Sequence, residues 1–570
     1  MKKLLLLLLV TLVTFGVNAQ YTFEEINISP TFGDSNPSRF VEFNGELYFS
    51  STGTTSDEEL WKTDGTFAGT VLVKNINPTG KSQPRRLTVY NNELYFSADT
   101  PNEGRELWKT DGTTAGTVMV KDILTGVGDG LTARYDPFKI FNNKLIFSGT
   151  LINPNGGSFL FESDGTEAGT NPMQTAASFS EGNGSHGRMV ILGNYVYFIG
   201  YSSNEGSELW KTDGNIMTLV KDINPGTAHS IPQQLTVFNN EIYFSADGGT
   251  FGRELWKTDG TGAGTVLVKD IYPGVFSSFT ITPKFQVFKN KLFFATYTLA
   301  AGREIWVSDG TEAGTQLFFD TSPTLDVNGA AQSGIFHSSD NAKVFYPLGD
   351  KMYFTATTSY SASNHPNNIE PWVTDGTVAG TMQLADINPN GNAAFEGSFY
   401  HEYNNKVFFN TYEPDTTNRL LWMYDPSTGN TPVKIAPPNT TFTDVTQSVY
   451  INAINFKNSL FINGAYEINN VSHGIELWRI TDNTLSITEI DISTNITMFP
   501  NPAINQIAIA LKNNESIKKI EIYTLLGKRV LAKNSSQSET TVNVSSLSAG
   551  LYIVKIAGEN HTYSQKLIIK

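Results

Sequence analysis

Few side chains in this chain have the type and spacing that catalysis or metal binding requires. The chain contains no Cys, so disulfides and thiolate metal sites are excluded. No Gly-x-Ser-x-Gly motif stands between a strand and a helix, and no phosphate-binding loop is present. The seven His residues lie in separate segments without metal-ligand spacing: His186, His229, His337, His365, His401, His473 and His561. The sequence therefore predicts no catalytic, cofactor-binding or metal-binding residue and no cofactor.

A carboxylate does recur, in repeated Asp-Gly turns such as Asp259-Gly260. Calcium takes about six to eight oxygen ligands, and one carboxylate per turn falls well short of that number. Asp and Gly are also the residues that tight turns prefer. We interpret these Asp residues as turn formers.

Tryptophan is the residue whose placement is most regular. All eight Trp, together with one Phe, hold the same place in a phrase that recurs about every 50 residues. A row of indoles could form stacking platforms for sugars, but repeats bury the same position each time, which favours one core anchor per repeat. The predicted anchors are Trp61, Trp108, Phe161, Trp210, Trp256, Trp306, Trp372, Trp422 and Trp478.

The repeated motif is clearest in residues 254–269, and it predicts two strands joined by a tight turn. Leu255 and Trp256 supply apolar area to the first strand, and residues 266–268 supply it to the second. Asp259-Gly260 suits a tight turn, and the hydroxyls of Thr258 and Thr261 can bond the turn amides. Each repeat holds two further strand candidates, joined in the second repeat by Asn91-Asn92, which tolerates left-handed backbone.

Four short strands repeated about nine times predict an all-β fold, a β-propeller of about nine four-stranded blades, with eight possible. Second strands such as residues 94–96 are apolar on successive positions, which favours sheets covered on both faces. Residues 21–30 resemble the end of a repeat, so the chain is expected to enter on an outer strand and pair with the last repeat. The extra loop residues of the seventh repeat, 321–342 and 357–368, could bind a ligand or be insertions without a role.

The two ends of the chain differ from the repeats. Residues 1–19 have the pattern of a secretory signal peptide, with Lys2 and Lys3 before an apolar stretch and a cleavage site between Ala19 and Gln20. No other segment is apolar enough to span a membrane, so we expect no transmembrane span in the mature chain. Residues 20–492 are expected to form the propeller, and residues 493–570, with short strand-like runs, predict a small Ig-like β-sandwich.

The formal net charge of the chain is −15. An acidic surface repels nucleic-acid phosphates, which argues against nucleic acid as a partner. The acidic residues are spread through loops, where they favour solubility. We expect a monomer.

The repeated phrase resembles the repeat family known by its motif Glu-Leu-Trp-x-x-Asp-Gly-Thr (ELWxxDGT), found in bacterial secreted proteins. The resemblance covers roughly residues 21–492. It implies a propeller-like body without a settled activity.

The C-terminal residues resemble the type A sorting domain of type IX secretion. The matching motifs are Phe499-Pro500-Asn501-Pro502, the turn at Gly527, Gly550 with Tyr552, and the closing residues 566–570. The resemblance implies that the secretion machinery is a partner of residues 493–570. It also implies export to the medium or to the outer surface of a Gram-negative cell, where the body is released or anchored.

Three functions remain open from the sequence. The first is a surface or secreted protein whose propeller binds an extracellular glycan or protein. The second is a polysaccharide hydrolase or lyase, with carboxylates from different blades meeting in the channel. The third is a purely structural surface component. The absence of a catalytic signature makes an enzyme the weaker expectation.

Overall fold

The computed structural model describes two compact units, residues 1–481 and 482–570. The residues it describes are 21–26, 28, 33–53, 57–132, 137–151, 158–173, 178–179, 189–323, 325, 331–335, 343–360, 366–388, 392, 399–412, 419–429, 431–437, 441–445, 453–468, 471–483, 496–511, 516–524, 529–558 and 562–570. The predicted signal peptide and its cleavage site at Ala19 and Gln20 lie outside these residues. Strands are the only regular elements in the described part of the chain.

The described residues of the first compact unit form nine four-stranded antiparallel repeats, here called units 1 to 9. Strand β1 is Tyr21–Ile26. Units 1 to 3 consist of β2 (Ser38–Phe43), β3 (Glu46–Thr52), β4 (Glu58–Thr63), β5 (Val71–Lys74); β6 (Arg85–Tyr90), β7 (Glu93–Thr100), β8 (Gly104–Thr110), β9 (Val118–Lys121); and β10 (Lys139–Phe141), β11 (Lys144–Thr150), β12 (Ser158–Ser163), β13 (Asn171–Pro172). After β14 (Ser178–Phe179), units 4 to 6 consist of β15 (Val190–Leu192), β16 (Tyr195–Ser202), β17 (Gly206–Thr212), β18 (Met217–Lys221); β19 (Gln233–Phe238), β20 (Glu241–Asp247), β21 (Arg253–Thr258), β22 (Val266–Lys269); and β23 (Gln286–Phe288), β24 (Lys291–Thr298), β25 (Gly302–Ser308), β26 (Gln316–Phe319).

Units 7 and 8 consist of β27 (Tyr346–Leu348), β28 (Lys351–Tyr360), β29 (Pro366–Thr374), β30 (Met382–Gln383); and β31 (Tyr400–Tyr403), β32 (Lys406–Tyr412), β33 (Arg419–Tyr424), β34 (Val433–Ile435). After β35 (Thr441–Val445), unit 9 has β36 (Ala453–Phe456), β37 (Ser459–Ile468) and β38 (Val471–Asp482), and its fourth strand is β1 from the other end of the chain. The predicted all-β fold of repeated four-stranded sheets is confirmed.

Each unit places its apolar residues between itself and its neighbours. In β7 the consecutive residues Leu94, Tyr95 and Phe96 are all buried, on both faces of the sheet. First strands of neighbouring units contact one another, as β2 contacts β6 and β15 contacts β19. The first strands therefore form the side of the units where neighbours come closest, as the inner strands of propeller blades do.

The first and second strands are joined by two-residue turns, as the Asn pairs predicted. Asn91 and Asn92 have φ of 46° and 64°, and Tyr90 pairs with Glu93 across the turn. Positive φ at both central residues is the requirement of the type I′ hairpin turn.

The Asp-Gly hairpin between third and fourth strands is held by its own side chains. Gly260 N–H donates to Thr258 Oγ1 at 2.9 Å, and Gly264 N–H donates to Thr261 Oγ1 at 2.9 Å, which confirms the predicted roles of both hydroxyls. Asp259 Oδ1 accepts both the N–H and the hydroxyl of Thr261.

Asp-Gly hairpins also contact the preceding unit, as in unit 6. Gly310, in the hairpin of unit 6, has a φ of 96°, and a Cβ there would lie 2.2 Å from Tyr243 Oη of unit 5. Lys269 Nζ, from β22 of unit 5, donates to the carbonyl of Thr315 in unit 6 at 2.7 Å. Glycine at this turn thus meets both a backbone and a packing requirement.

The N-terminal segment completes unit 9. Strand β1 pairs with β38. Beyond it, Ile28 N–H donates to a carboxylate oxygen of Glu476 at 2.9 Å, and Ser35 Oγ donates to the same oxygen at 2.7 Å. One apolar cluster combines residues of units 1 and 9, including Phe49 and Phe461. The predicted pairing of the first residues with the last repeat is therefore observed.

The second compact unit consists of β39 (Ile496–Phe499), β40 (Gln506–Leu511), β41 (Lys519–Thr524), β42 (Arg529–Asn534), β43 (Glu539–Asn543), β44 (Gly550–Ala557) and β45 (Thr562–Ile569). They form one sheet of order β39-β40-β43 and one of order β42-β41-β44-β45. A single apolar core holds side chains of both, among them Ile507 and Val554. This arrangement agrees with the predicted small sandwich.

Candidate functional site: the loop face of units 4 to 6

A buried glutamate fixes the loop that leads from each repeat to the next, here called the cross-unit loop. In unit 5 the carboxylate of Glu254 is fully buried and accepts the N–H of Ile271 and the N–H of Ser278, both at 2.9 Å. Ser278 Oγ also donates to it, at 2.7 Å. Burial raises the pKa of Glu254 to about 7, while these hydrogen bonds act in the opposite direction. One side chain of the third strand thus holds the cross-unit loop at its start and at its middle.

The same arrangement recurs in seven units, through a glutamate that directly precedes the Leu-Trp or equivalent pair. Burial raises the pKa of Glu106 and of Glu304 to about 8 and that of Glu208 to about 7. The seven buried glutamates are Glu59, Glu106, Glu208, Glu254, Glu304, Glu370 and Glu476.

Units 3 and 8 have Phe159 and Leu420 at this position, and there the connection to the next unit is different. Strand β14 pairs with both β12 and β16, and β35 pairs with both β33 and β37. The sheets of units 3 and 4, and those of units 8 and 9, are thereby joined. Since backbone groups in a connection need partners, a short strand replaces the carboxylate where the carboxylate is missing.

A second polar side chain fastens the cross-unit loop to the start of the third strand. In unit 5, Arg253 N–H donates to Ser277 Oγ at 3.0 Å. In unit 4, Ser207 N–H donates to His229 Nδ1 at 3.0 Å, so the ring proton of neutral His229 resides on Nε2. Asp34, Asp129, Ser333 and Asn392 accept the equivalent N–H in other units. The loops of this face are therefore held in place at two points.

Large apolar and aromatic side chains are exposed on the cross-unit loops of units 4 and 5 and on the neighbouring second strands and the loops that follow those strands in units 4 to 6. Phe276 is 58% exposed, although phenylalanine is one of the residues most often buried in folded proteins. Its ring stacks on Tyr272, with centroids 5.1 Å apart and planes at 21°. Tyr201 stacks on His229 in unit 4, with centroids 6.0 Å apart and planes at 15°. The full set, here called the aromatic strip, is Tyr201, His229, Phe251, Tyr272, Val275, Phe276, Tyr297 and Leu299.

Close backbone contacts connect the parts of the aromatic strip. The loop of Phe251 lies between two cross-unit loops: a Cβ on Gly249 would lie 2.9 Å from Asn224 Oδ1 of unit 4, and one on Gly252 would lie 2.4 Å from the carbonyl oxygen of Phe276. Tyr272 in turn contacts Tyr297 of unit 6, with centroids 5.9 Å apart. The strip therefore crosses three successive units.

The charged side chains beside the strip are engaged in holding the backbone. Arg253 donates to the carbonyls of Ile231 and Ser230, and burial lowers the pKa of its guanidinium. Asp247 accepts the N–H of Gly249 at 2.8 Å. Recognition at the strip would consequently depend on apolar contact and neutral hydrogen bonds rather than on these charges.

The predicted anchor side chains lie in the apolar clusters that neighbouring units share. Trp256 is 6% exposed and packs with residues of unit 4, Tyr197 and Leu209 among them. Trp108, Trp210, Trp306, Trp372, Trp478 and Phe161 are also buried, whereas Trp61 and Trp422 are partly buried at their clusters. The aromatic side chains that reach solvent on the loop face are thus other residues than the Trp row.

The remaining predicted residues are dispersed. Of the His residues whose side chains the structure describes, His229 belongs to the strip, and His401 Nε2 lies 3.0 Å from Asn455 Oδ1 of the neighbouring first strand. Among the described residues no group of three or more acidic or His side chains is placed to hold a metal ion. Most of the long loop predicted at 321–342 and part of that at 357–368 lie outside the described residues.

The sorting motif occupies an edge of the C-terminal unit. Phe499 is 77% exposed, while Asn501 Oδ1 accepts the N–H of Ile568 at 2.9 Å. Pro500 and Pro502 flank Asn501, and Gly550 begins β44. Tyr552 Oη donates to the carbonyl of Ser548 at 2.9 Å. Gly527 lies outside the described residues.

Comparison with known families identifies the tail. Residues 497–570 match the family described as the secretion system C-terminal sorting domain. No curated protein matches the chain. In the described part of the chain, no helix has the length and apolar character that crossing a membrane requires.

Solved structures show only a distant likeness. PorZ, an essential surface component of the type IX secretion system of Porphyromonas gingivalis, is 12% identical, with 96% of this chain and 100% of that chain covered and a TM-score of 0.28. A puromycin hydrolase is 10% identical, with coverage of 77% and 60% and a TM-score of 0.34. A prolyl endopeptidase is 10% identical, with coverage of 69% and 56% and a TM-score of 0.35. These scores are too low to support a conclusion about function.

The sorting domain defines the class: this is a secreted or outer cell-surface protein that is exported by type IX secretion. Within that class, the described part of its body is an all-β array of four-stranded sheets.

Proposed function

We propose that the repeat body is a binding module that engages an extracellular glycan or protein after export. The observation that carries this proposal is the aromatic strip. Exposed contiguous apolar side chains on a soluble protein mark interaction sites, whereas single exposed residues do not. Phe276 and Val275 are 58% and 71% exposed on the cross-unit loop of unit 5, and Leu299 is 67% exposed just beyond Tyr297, whose ring contacts Tyr272 of that loop.

The way these loops are held supports the same proposal. Glu254 and Ser277 fix the loop that carries Phe276 at two points, so the ring is presented on a firm backbone. A surface that is ordered before it meets its ligand loses less conformational entropy on binding. Side chains held in this way suit recognition.

The buried glutamates do not favour a hydrolase, because their carboxyl groups hold the backbone of the loops. A glycosidase needs two carboxyl groups about 5–10 Å apart, flanking one glycosidic bond. The buried glutamates instead bond to the backbone of the connection to the next unit, as Glu254 does with Ile271 and Ser278. These carboxyl groups are therefore structural, and we propose binding rather than catalysis.

The test is an array of glycans and extracellular matrix proteins probed with the secreted protein. We expect saturable binding to at least one class of ligand at micromolar protein. An array on which the protein binds neither a glycan nor a protein at that concentration would refute the proposed function. A matched array probed with heat-unfolded protein controls for non-specific adhesion.

A further inference from the structure

We propose that the aromatic strip binds an extended neutral polysaccharide by stacking pyranose rings on its aromatic side chains. This inference rests on the proposed binding function and names the ligand class of the same surface.

The ring geometry indicates a sugar. One face of a pyranose carries C–H groups that pack on the electron-rich face of an aromatic ring. Tyr272 and Phe276 are stacked with planes at 21°, and so are Tyr201 and His229 with planes at 15°, so each ring of a pair is held in a fixed plane by its partner. Two such braced pairs, with 58% of Phe276 and 41% of Tyr201 exposed, present flat apolar area to solvent.

The extent of the strip indicates a chain rather than a single sugar. The two stacked pairs belong to units 4 and 5, and the loop of Phe251, which is 39% exposed, lies between them. Tyr297 and Leu299 continue the surface into unit 6. A ligand that contacts several of these platforms must itself repeat along its length.

Polar groups suited to hydroxyls accompany the rings. His229 accepts a backbone N–H through Nδ1, which leaves Nε2 to carry the proton on an exposed ring. Asn224 lies beside it: its Nδ2 donates one hydrogen bond to the carbonyl of His229 at 3.4 Å, and an amide nitrogen carries a second N–H. Neutral donors and acceptors beside an apolar platform fix the orientation of a ligand.

The charges around the strip favour a neutral polysaccharide over an anionic one. Arg253 is committed to the carbonyls of Ile231 and Ser230, and Arg303 donates to Thr280 Oγ1 at 2.9 Å. The chain as a whole carries a formal charge of −15, which repels an anionic polymer. Binding should therefore change little with ionic strength, because few ion pairs form.

The experiment measures binding of β-1,4-linked glucan, mannan and xylan oligosaccharides of increasing length by calorimetry. Polygalacturonate serves as an anionic probe. The ligands are titrated into the secreted wild-type protein and into Phe276→Ala, Tyr201→Ala and Phe67→Ala. Phe67 is the matched control, because it is 62% exposed in the hairpin of unit 1, at the opposite end of its third strand from the cross-unit loops. Circular dichroism of each variant checks that the fold is retained.

We expect affinity for one neutral series to rise with chain length and to be insensitive to salt. Phe276→Ala and Tyr201→Ala should each weaken binding by on the order of tenfold, the upper end of what one aromatic contact contributes. Phe67→Ala should bind like the wild type.

Each other result overturns the inference in a distinguishable way. Neutral-glycan binding that is unchanged in both strip variants would place the site elsewhere and leave the proposed function intact. Binding only of polygalacturonate, or only of proteins on the array, would refute the neutral polysaccharide while still supporting a binding module. Absence of binding to every ligand would refute both proposals.

Discussion

Replacement of Glu254 by Ala tests the idea that one carboxylate organises the cross-unit loop. The substitution leaves the N–H groups of Ile271 and Ser278 without an acceptor in a fully buried position. It also removes the carboxylate that the Ser278 hydroxyl bonds, but this hydroxyl can turn to the carbonyl of Arg253, which lies 3.5 Å away. A buried donor that loses its partner costs about 1–3 kcal/mol, so the two donors together should lower the free energy of unfolding by ~2–6 kcal/mol. Part of this cost can be relieved by local opening of the loop.

Two further variants separate the hydrogen bonds from other effects. Glu254→Gln keeps an acceptor oxygen and removes the charge, so we expect a smaller loss of about 1 kcal/mol. Glu312→Ala removes an exposed glutamate from the hairpin of unit 6 and should change the free energy by less than about 0.5 kcal/mol.

Denaturant unfolding gives the free energies, and amide hydrogen exchange gives the local effect. In Glu254→Ala the amides of Ile271 and Ser278 should lose protection before those of the neighbouring β20. The reasoning is refuted if Glu254→Ala is as stable as Glu312→Ala and both amides stay protected.

Three further predictions follow from the packing and charges of the repeats. Gly310→Ala should destabilise the protein by about 1–3 kcal/mol more than Gly274→Ala, because both glycines have a φ of 96° but a Cβ meets Tyr243 Oη only at Gly310; thermal unfolding of the pair measures the difference, and equal losses would exclude the packing effect. Lys269→Met removes the bond to the Thr315 carbonyl and should lower the free energy of unfolding by about 1 kcal/mol, whereas exposed Lys81→Met should not; equal stability of the two variants in denaturant would disprove this contribution. Burial raises the pKa of Glu106 and Glu304 to about 8, so the stability that their protonated carboxyls contribute is present below the unfolded pKa near 4.5 and is lost as the pH rises through about 8, whereas hydrogen bonds lower the pKa of turn residues such as Asp259, whose contribution to stability is lost in acid. The melting temperature should therefore fall on both sides of mildly acidic pH. A melting temperature that rises from pH 6 to pH 9 would contradict this assignment.

The parts of the fold that local patterns encode could be predicted from the sequence. The Asn91-Asn92 turn, the apolar second strands and the hairpin around Asp259 all depend on residues within a few positions of one another. In the C-terminal unit, the apolar runs at 506–511 and 519–524 are visible in the sequence and form β40 and β41. Strand β42 has no such signal in the sequence, because it is exposed along most of its length and lacks an apolar pattern.

The partners of Glu254 could not be predicted, since they lie 17 and 24 residues further along the chain and no periodicity links them. A charged residue beside Leu255 and Trp256 resembles the solvent-facing side of a strand, yet Glu254 is fully buried. The short strand that replaces the carboxylate in units 3 and 8 could not be predicted from the sequence for the same reason.

Two residues of the aromatic strip depart from the repeat pattern, but the departure is recognised only once the strand register is known. Tyr201 and Tyr297 pair with Ser207 and Arg303, at the position that Asp247 holds in unit 5. Aromatic residues at a position where another unit has Asp depart from the repeat. Alignment by register, rather than by the Trp phrase alone, would have singled them out.

The N-terminal strand has a consequence for the order of events during export. Strand β1 precedes its partner β38 by more than 400 residues, so the pair can form only after all the intervening units have been made. Joining ends so far apart costs on the order of 5 kcal/mol in chain entropy, which must be recovered from the new pairing and from the apolar cluster shared by units 1 and 9. Until β1 pairs with β38, the sheet of unit 9 lacks its fourth strand. A chain that stalls before β38 is available would therefore expose the apolar side chains that units 1 and 9 otherwise bury against each other.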